Sequence, residues 1–410
     1  MLHLSRRAEQ LLEHPPFAPY ILEHFARQAN GFDPASNPDG YIALCIAENR
    51  TMWDVLVPRL ARYREIPARV LGYDAMIGNL EFRQKLAAFM GRTFLGRTVD
   101  AEQLAVVAGA GAVLELLFHA IADPGDGVLV PTPSYAGFWA DLETRDELRI
   151  VPVPTSSASG FRLRTEDLDR ALATAERPIK ALLFTTPDNP LGRTYTREQL
   201  LEILDWSDRA GIHVVFDEVY ALSVFGDRPF VSAASLRPSL GDRVHVVWAF
   251  SKDFGASGLR CGVLLSENEG VLRAVDALAY WAACSGDTQH LLGELVADRP
   301  FVDDYLAQMR SRLAGTYARV SEMLAAHGID HIPADAGIFL LCDLRRFLTE
   351  PTWDAEHRLW KRLLEQANVN LTPGSACRIA EPGFFRLCYA AESDAAVREG
   401  AARLVRVLTG

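Results

Sequence analysis

A lysine stands directly behind an apolar run in Val247-Trp248-Ala249-Phe250-Ser251-Lys252-Asp253-Phe254-Gly255. If that run is a strand, the ammonium of Lys252 arrives at the carboxyl edge of a sheet, where open α/β sheets bind their ligands. An amine in such a place attacks an aldehyde once burial or a cationic neighbour lowers its pKa. Arg260 is a candidate for that neighbour, and for a phosphate ligand. A surface lysine that merely ends a strand is the plain alternative. The choice is narrow, because the only lysines are Lys85, Lys180, Lys252 and Lys361, and Lys252 alone follows a buried-strand pattern.

Other runs deliver chemistry to the same kind of edge. Phe216-Asp217-Glu218-Val219-Tyr220 ends an apolar strand on an acid, and a carboxylate leaving a buried strand needs a cationic partner. A pyridinium nitrogen is one, and a carboxylate there keeps the ring protonated and electron-withdrawing; capping a helix is the alternative. Tyr220 could then reach a phenolic oxygen of such a ring, as could Asn189 in Thr186-Pro187-Asp188-Asn189-Pro190-Leu191-Gly192, which alone is only a turn. Val107-Ala108-Gly109-Ala110-Gly111-Ala112 exposes backbone N–H groups where a helix begins, which suits a phosphate, but its glycines lack the spacing of a dinucleotide fingerprint. Pro131-Thr132-Pro133-Ser134-Tyr135 offers an aromatic for stacking on a flat ring. Arg386, inside the apolar run Phe384-Phe385-Arg386-Leu387-Cys388, needs an anion: a substrate carboxylate, or an internal Asp or Glu.

The elements that must position these residues are strands alternating with helices. Strands are expected at Leu104–Val107, Val128–Val130, Ile150–Val153, Ala181–Thr185, His213–Phe216, His245–Trp248 and Gly262–Leu265, nearly all apolar or β-branched, as buried parallel strands are. Helices fit Gly111–Ala122, Arg197–Ala210 and Phe301–His327. This is an α/β chain with a mostly parallel seven-stranded sheet, joined to a smaller α+β part rich in long helices. The expected division is an N-terminal arm at 1–49, a large domain at 50–286 and a C-terminal small domain at 287–410, with His14 to Gly40 read as irregular. At 410 residues the chain is too long for one ordinary core. The net charge of −11 argues against a nucleic-acid or anionic-membrane partner. Six cysteines lie scattered, without metal-ligand or redox spacing, so no metal is expected and a reducing cytoplasm is. The N-terminus lacks the apolar core of a signal peptide.

The order of these six motifs resembles the aminotransferase class I/II family of pyridoxal 5′-phosphate (PLP) enzymes, of fold type I, from about Pro15 to Leu408. Within it the chain is most similar to the 1-aminocyclopropane-1-carboxylate (ACC) synthase-like branch, through Asn37–Asn49 (NPDGYIALCIAEN), Ile121–Phe138, TTPDNPLG, VHVVWAFSKDFG, DTQHLL, LTPGSAC and EPGFFRLCYA. The resemblance implies that Lys252 carries the cofactor and shuttles the Cα proton. By the same resemblance, Asp217 meets the ring nitrogen, Tyr220 and Asn189 the phenolic oxygen, and Tyr135 the ring face. Ala110, Gly111, Ser251 and Arg260 hold the phosphate. Arg386 takes the substrate carboxylate and Glu48 faces the substrate. The resemblance also implies a homodimer with shared sites, Tyr73 reaching the phosphate and Asp287 the substrate from the partner. Met76 and Ala249 stand where the branch has a tyrosine and a serine, and Asp287 replaces a glutamine.

Two enzyme readings follow from the resemblance, with a third that is not an enzyme. One is a lyase that expels a sulfur leaving group from S-adenosylmethionine or a cysteine S-conjugate. The next is an aminotransferase or decarboxylating deaminase using the same residues, since pocket shape selects which Cα bond breaks. The last is the ligand-sensing half of a PLP-binding regulator, disfavoured by the acidic charge and the early start of the fold.

Overall fold

Short apolar runs, separated by Gly, Pro and Asp, become seven paired strands in the computed structural model, which describes residues 3–410. They are β1 (Leu104–Val107), β2 (Gly127–Thr132), β3 (Arg149–Pro154), β4 (Ile179–Thr185), β5 (His213–Asp217), β6 (Val244–Ala249) and β7 (Gly262–Ser266). Their order across the sheet is β1-β7-β6-β5-β4-β2-β3. β7 is antiparallel to both its neighbours, and the remaining pairs are parallel. β1 therefore points the same way as β6. Every position of β1, β6 and β7 is buried, because helices cover both faces; this is why these strands read as unbroken apolar runs.

The topology has one consequence for chemistry. The carboxyl ends of β1, β2, β4, β5 and β6 lie along one edge, and β7 begins there. Segments 108–111, 133–135, 186–189, 218–220 and 250–252 all leave the sheet at that edge, and Arg260 precedes β7.

The C-terminal part adds a four-stranded antiparallel sheet, ordered Thr372–Pro373, Phe384–Cys388, Phe339–Asp343, Asp330–Ile332. Ile42–Ala43 pairs in parallel with Val369–Asn370, which ties the N-terminal segment to this part. The helix Arg299–Ala326 spans 28 residues and begins two residues before Phe301, because the Asp298 carboxylate accepts from Phe301 N–H and Pro300 suits the first turn.

The stretch from His14 to Gly40 is not wholly irregular, as the sequence suggested. It contains the helix Pro19–Arg27, preset by proline at its first position and anchored by buried Tyr20. A further helix, Arg6–Glu13, is capped by the Ser5 hydroxyl. The first two residues of the expected arm lie outside the described residues.

Candidate active site

Lys252 leaves β6 in the first turn of the short helix Phe250–Asp253. Its neighbour Asp253 locks that turn: the buried carboxylate accepts from Trp248 Nε1 at 2.9 Å, Ser223 Oγ at 2.6 Å and Leu222 N–H at 3.1 Å. Lys252 Nζ donates to the Ala47 carbonyl at 2.6 Å, and Asn49 Nδ2 donates to the Lys252 carbonyl at 3.0 Å. Burial, reinforced by the charge of Arg386, lowers the Lys252 pKa to about 8. The leading cationic neighbour is thus Arg386, where the sequence suggested Arg260.

Asp217 ends β5 opposite Thr185 of β4 and Val247 of β6. It starts no helix, since residues 218–222 form turns, so helix capping does not explain it. Its carboxylate accepts one hydrogen bond, from Val219 N–H at 3.3 Å. Burial pushes its pKa up to about 7, against the pull of that N–H and of Lys252. Such a carboxylate lacks its cation.

Arg386 lies fully inside the molecule and has no carboxylate partner. One guanidinium nitrogen donates to Asn189 Oδ1 at 3.0 Å, another to the Cys45 carbonyl at 2.9 Å and Thr372 Oγ1 at 3.1 Å. Nε has no partner. The internal ion pair that could have explained this arginine is therefore absent among the described residues, and an external anion is what it lacks. Asn189 Nδ2 points at the Tyr220 hydroxyl, 3.5 Å away, and burial keeps that phenol protonated.

Ala110 and Gly111 open the helix Ala110–Ile121, whose N-cap Gly109 supplies no side chain. Gly109 has φ +98°, and a Cβ there would sit 2.5 Å from the Arg260 guanidinium; one on Gly262 would sit 2.6 Å from Ala110 N. Bare backbone thus lets the arginine close over free N–H groups, a cradle for a phosphate. Ser251, just before Lys252, is buried. Tyr135, at the end of β2, lies within the electrostatic reach of Asp217, Arg260 and Arg386. An unpaired buried acid, a depressed lysine, a cationic phosphate cradle and a stacking phenol fit PLP. Among the described residues no cluster suits a metal.

Glu48 lies in this pocket too, but both its oxygens are engaged: one by Arg50 Nε at 2.5 Å, the other by Ser257 Oγ at 2.7 Å. Tyr73 and Asp287 are not brought to the edge of the sheet in this chain. Tyr73 is 99% exposed, and Asp287 pairs with Arg64 at 3.0 Å on the surface. Sequence reasoning missed Tyr20, whose buried phenol lies near Arg386, Tyr135 and Cys377, and Thr372, paired across from Arg386 in the antiparallel sheet. Thr372 stood within the LTPGSAC motif; nothing local marked Tyr20.

The family model for aminotransferase class I and II matches residues 40–404. The chain is similar to 1-aminocyclopropane-1-carboxylate synthase 6 of Arabidopsis thaliana, 35% identical, over 94% of this chain and 81% of that one. It is similar to 1-aminocyclopropane-1-carboxylate synthase 4 of Oryza sativa subsp. japonica, 36% identical, over 96% and 88%. The aspartate aminotransferase of Thermus thermophilus, solved with maleate, shares the fold with a TM-score of 0.81 at 24% identity, over 100% of both chains.

Proposed function

The chain belongs to the aminotransferase class I and II family, and from that premise we propose that it is a PLP-dependent lyase that expels a sulfur leaving group from an amino acid, S-adenosylmethionine or a cysteine S-conjugate. The observation that carries the amino-acid half is Arg386, a buried guanidinium with a free Nε and no carboxylate of its own. The sulfur half is supported by the likeness to ACC synthases across nearly the whole chain.

Bound PLP supplies an aldehyde for the substrate amine and an electron-withdrawing ring beside Cα. Arg386 clamps the α-carboxylate with the fork now aimed at neutral acceptors. Asp217 holds a proton on the ring nitrogen and is itself relieved of an uncompensated charge. Tyr220 and Asn189 hydrogen-bond the phenolic oxygen, Tyr135 covers the ring face, and Arg260 with the Ala110 and Gly111 N–H groups grips the phosphate. Lys252, with a pKa near 8, is partly free amine at neutral pH and takes the proton from Cα. The electron pair left at Cα makes a new bond as the C–S bond breaks and sulfur leaves with its bonding pair: a Cα–Cβ double bond for a cysteine S-conjugate, or a Cα–Cγ bond that closes a ring for S-adenosylmethionine.

We take the working unit to be a cytoplasmic homodimer with Tyr73 and Asp287 serving the partner's site. Their exposed position on one side of the chain supports this, as do six cysteines that are all buried and unpaired. No helix is long and apolar enough to cross a membrane among the described residues. That the N-terminal arm at 1–49 belongs with the C-terminal small domain is supported by the Ile42–Ala43 pairing with Val369–Asn370.

The test is to incubate PLP-loaded enzyme with S-adenosylmethionine, cysteine S-conjugates and common amino acids and to analyse products by mass. Release of methylthioadenosine or a thiol is expected. A keto acid and pyridoxamine phosphate, without sulfur release, would replace this reading with transamination.

A further inference from the structure

An acid stands at the edge of the phosphate cradle, where an anion has to bind. Asp141 lies in the short helix Phe138–Glu143, which follows Tyr135 and packs against the helix Ala110–Ile121 and the strand β3. A Cβ placed on Gly111 would come within 3.8 Å of Asp141 Oδ1. Cβ atoms of a helix lean toward its N-terminus, so this oxygen flanks the turn whose free N–H groups form the cradle. The Asp141 charge also acts on Tyr135 and Asp217, which places it toward the cofactor rather than toward solvent.

Nothing in the chain answers this acid. Among the described residues its carboxylate joins no hydrogen bond and no ion pair, and burial, with the charge of Glu115 behind it, pushes its pKa up to about 6. Glu115 is itself held by Arg145 at 2.8 Å. The other charged groups on the surrounding elements are engaged elsewhere. His119 meets Asp146 at 3.3 Å, Glu143 accepts from Ile150 N–H at 3.0 Å, and Arg149 donates to the Leu148 carbonyl at 3.0 Å. The Arg378 guanidinium lies over the Trp139 ring. An ionised carboxylate in this place would repel a phosphate, whereas a neutral carboxyl has an O–H to give it. The incoming anion is one more negative charge beside Asp141, and it favours the neutral form further.

We propose that Asp141 is a further ligand of the cofactor phosphate, held as the neutral carboxylic acid and donating its O–H to a phosphate oxygen. This rests on the cradle formed by Ala110, Gly111 and Arg260, and it holds whichever Cα bond the enzyme breaks. Loading the cofactor at neutral pH brings one proton from solvent to Asp141, where it stays.

The test has two arms. In the first, the full-length apoenzyme is titrated by calorimetry with sulfate, an anion of the same shape that does not itself titrate between pH 5.5 and 7.5. Wild type should bind it about tenfold more tightly at pH 5.5 than at pH 7.5, because protonation and anion binding favour each other. Asp141→Asn, whose amide donates at any pH, should bind at pH 7.5 as wild type does at pH 5.5 and lose the pH dependence. Asp141→Ala, with neither charge nor donor, should bind about tenfold more weakly than Asp141→Asn, the scale of one hydrogen bond to a charged group. In the second arm, infrared spectra of the PLP-loaded enzyme at pH 7.5 should show the carbonyl band of a protonated carboxyl that Asp141→Asn lacks. A pH dependence kept whole in Asp141→Asn, equal binding by the asparagine and alanine variants, or an infrared band unchanged by the substitution overturns the proposal. Arg260→Ala separates this residue from the cradle. It should weaken sulfate at both pH values, and undiminished binding there overturns the cradle and the proposal together. A loss in Arg260→Ala beside an unaltered profile in Asp141→Asn overturns the part played by Asp141 alone.

Discussion

β5 and β6 carry buried or half-buried polar groups at both ends, and the two ends treat them in opposite ways. At the amino ends, His213 Nδ1 lies 3.0 Å from His245 Nε2, the rings stack, and His245 Nδ1 reaches Ser266 Oγ at 2.9 Å. Burial holds His245 near a pKa of about 3, with His213 adding to the shift, so the fully enclosed ring is neutral and satisfied. At the carboxyl ends the same sheet leaves debts open. Asp217 has no cation, Lys252 has a main-chain carbonyl, and the buried atoms Arg386 Nε, Ser134 Oγ and Thr186 Oγ1 have no partner. Buried charge that serves only the fold is paired within the chain, as in Arg403 with Glu399 and three carbonyls. Buried charge left unpaired waits for something from outside.

The sharpest break in that contrast would come at Lys252. Lys252→Ala should reduce turnover by at least about a thousandfold, the scale of a lost proton-transfer group, while leaving weak, phosphate-held PLP. Borohydride reduction and peptide mapping check it, since label on Lys85, Lys180 or Lys361 would move the site elsewhere. Because the free amine is the attacking species, covalent capture of PLP by the apoenzyme should quicken tenfold per pH unit up to about pH 8 and level above it. Next in size, Arg386→Ala should weaken every α-amino acid substrate by on the order of 2–5 kcal/mol, with Arg386→Lys recovering only part. Unchanged substrate affinity in the alanine variant would make this arginine structural.

Asp217 tests the same contrast through stability. Its carboxyl titrates near 7 in the folded apoenzyme against 3.8 as the ordinary value. The stability it contributes is therefore whole below pH 3.8 and lost as pH rises through 7. Asp217→Asn apoenzyme should be more stable than wild type at pH 8, by roughly 2–4 kcal/mol in denaturant melts, yet bind PLP more weakly. A variant less stable than wild type at that pH would mean the charge already has a partner in the chain.

How much of this the sequence held depended on how locally each feature is determined. The strands at Leu104–Val107 and Ala181–Thr185 were legible because unbroken apolar runs of this length signal strands buried on both faces, and a residue directly after such a run must sit at the sheet edge. That argument reached Lys252, Asp217 and Asn189. It could not reach Arg386's surroundings, since the neutral partners Cys45, Asn189 and Thr372 come from three distant segments and an antiparallel register. The helix Pro19–Arg27 was read as irregular because nearby Pro and Asn obscured a nine-residue amphipathic run. Glu48 was placed in the pocket by motif, but its engagement by Arg50 and Ser257 is a tertiary fact.

Tyr73 sharpens the contrast from outside the sheet. If its hydroxyl serves the partner's phosphate, Tyr73→Phe should loosen PLP by roughly 1.5–3 kcal/mol in a spectroscopic titration, the worth of one hydrogen bond to a charged group. Sedimentation should find a dimer in the wild type. A fully active monomer would leave this exposed aromatic without that role.

The smallest effect belongs to the amino ends, where the claim is that nothing waits for a ligand. His245→Gln should leave kcat and KM where they are and change only stability. Below pH 6.5 the unfolded chain protonates this imidazole, whereas the folded chain resists until about pH 3. Wild-type stability from this group is therefore whole above pH 6.5 and drains away as pH falls toward 3, by at most about 1.4 kcal/mol per unit. Glutamine, which does not titrate, should flatten that part of the curve at some constant loss in packing and hydrogen bonding. Urea melts at pH 7.5, 6 and 5 measure the slope directly. A variant whose stability fell with acid as steeply as wild type would show that another group drives acid unfolding, and one that lost substrate affinity would show that the two ends of these strands are not separate after all.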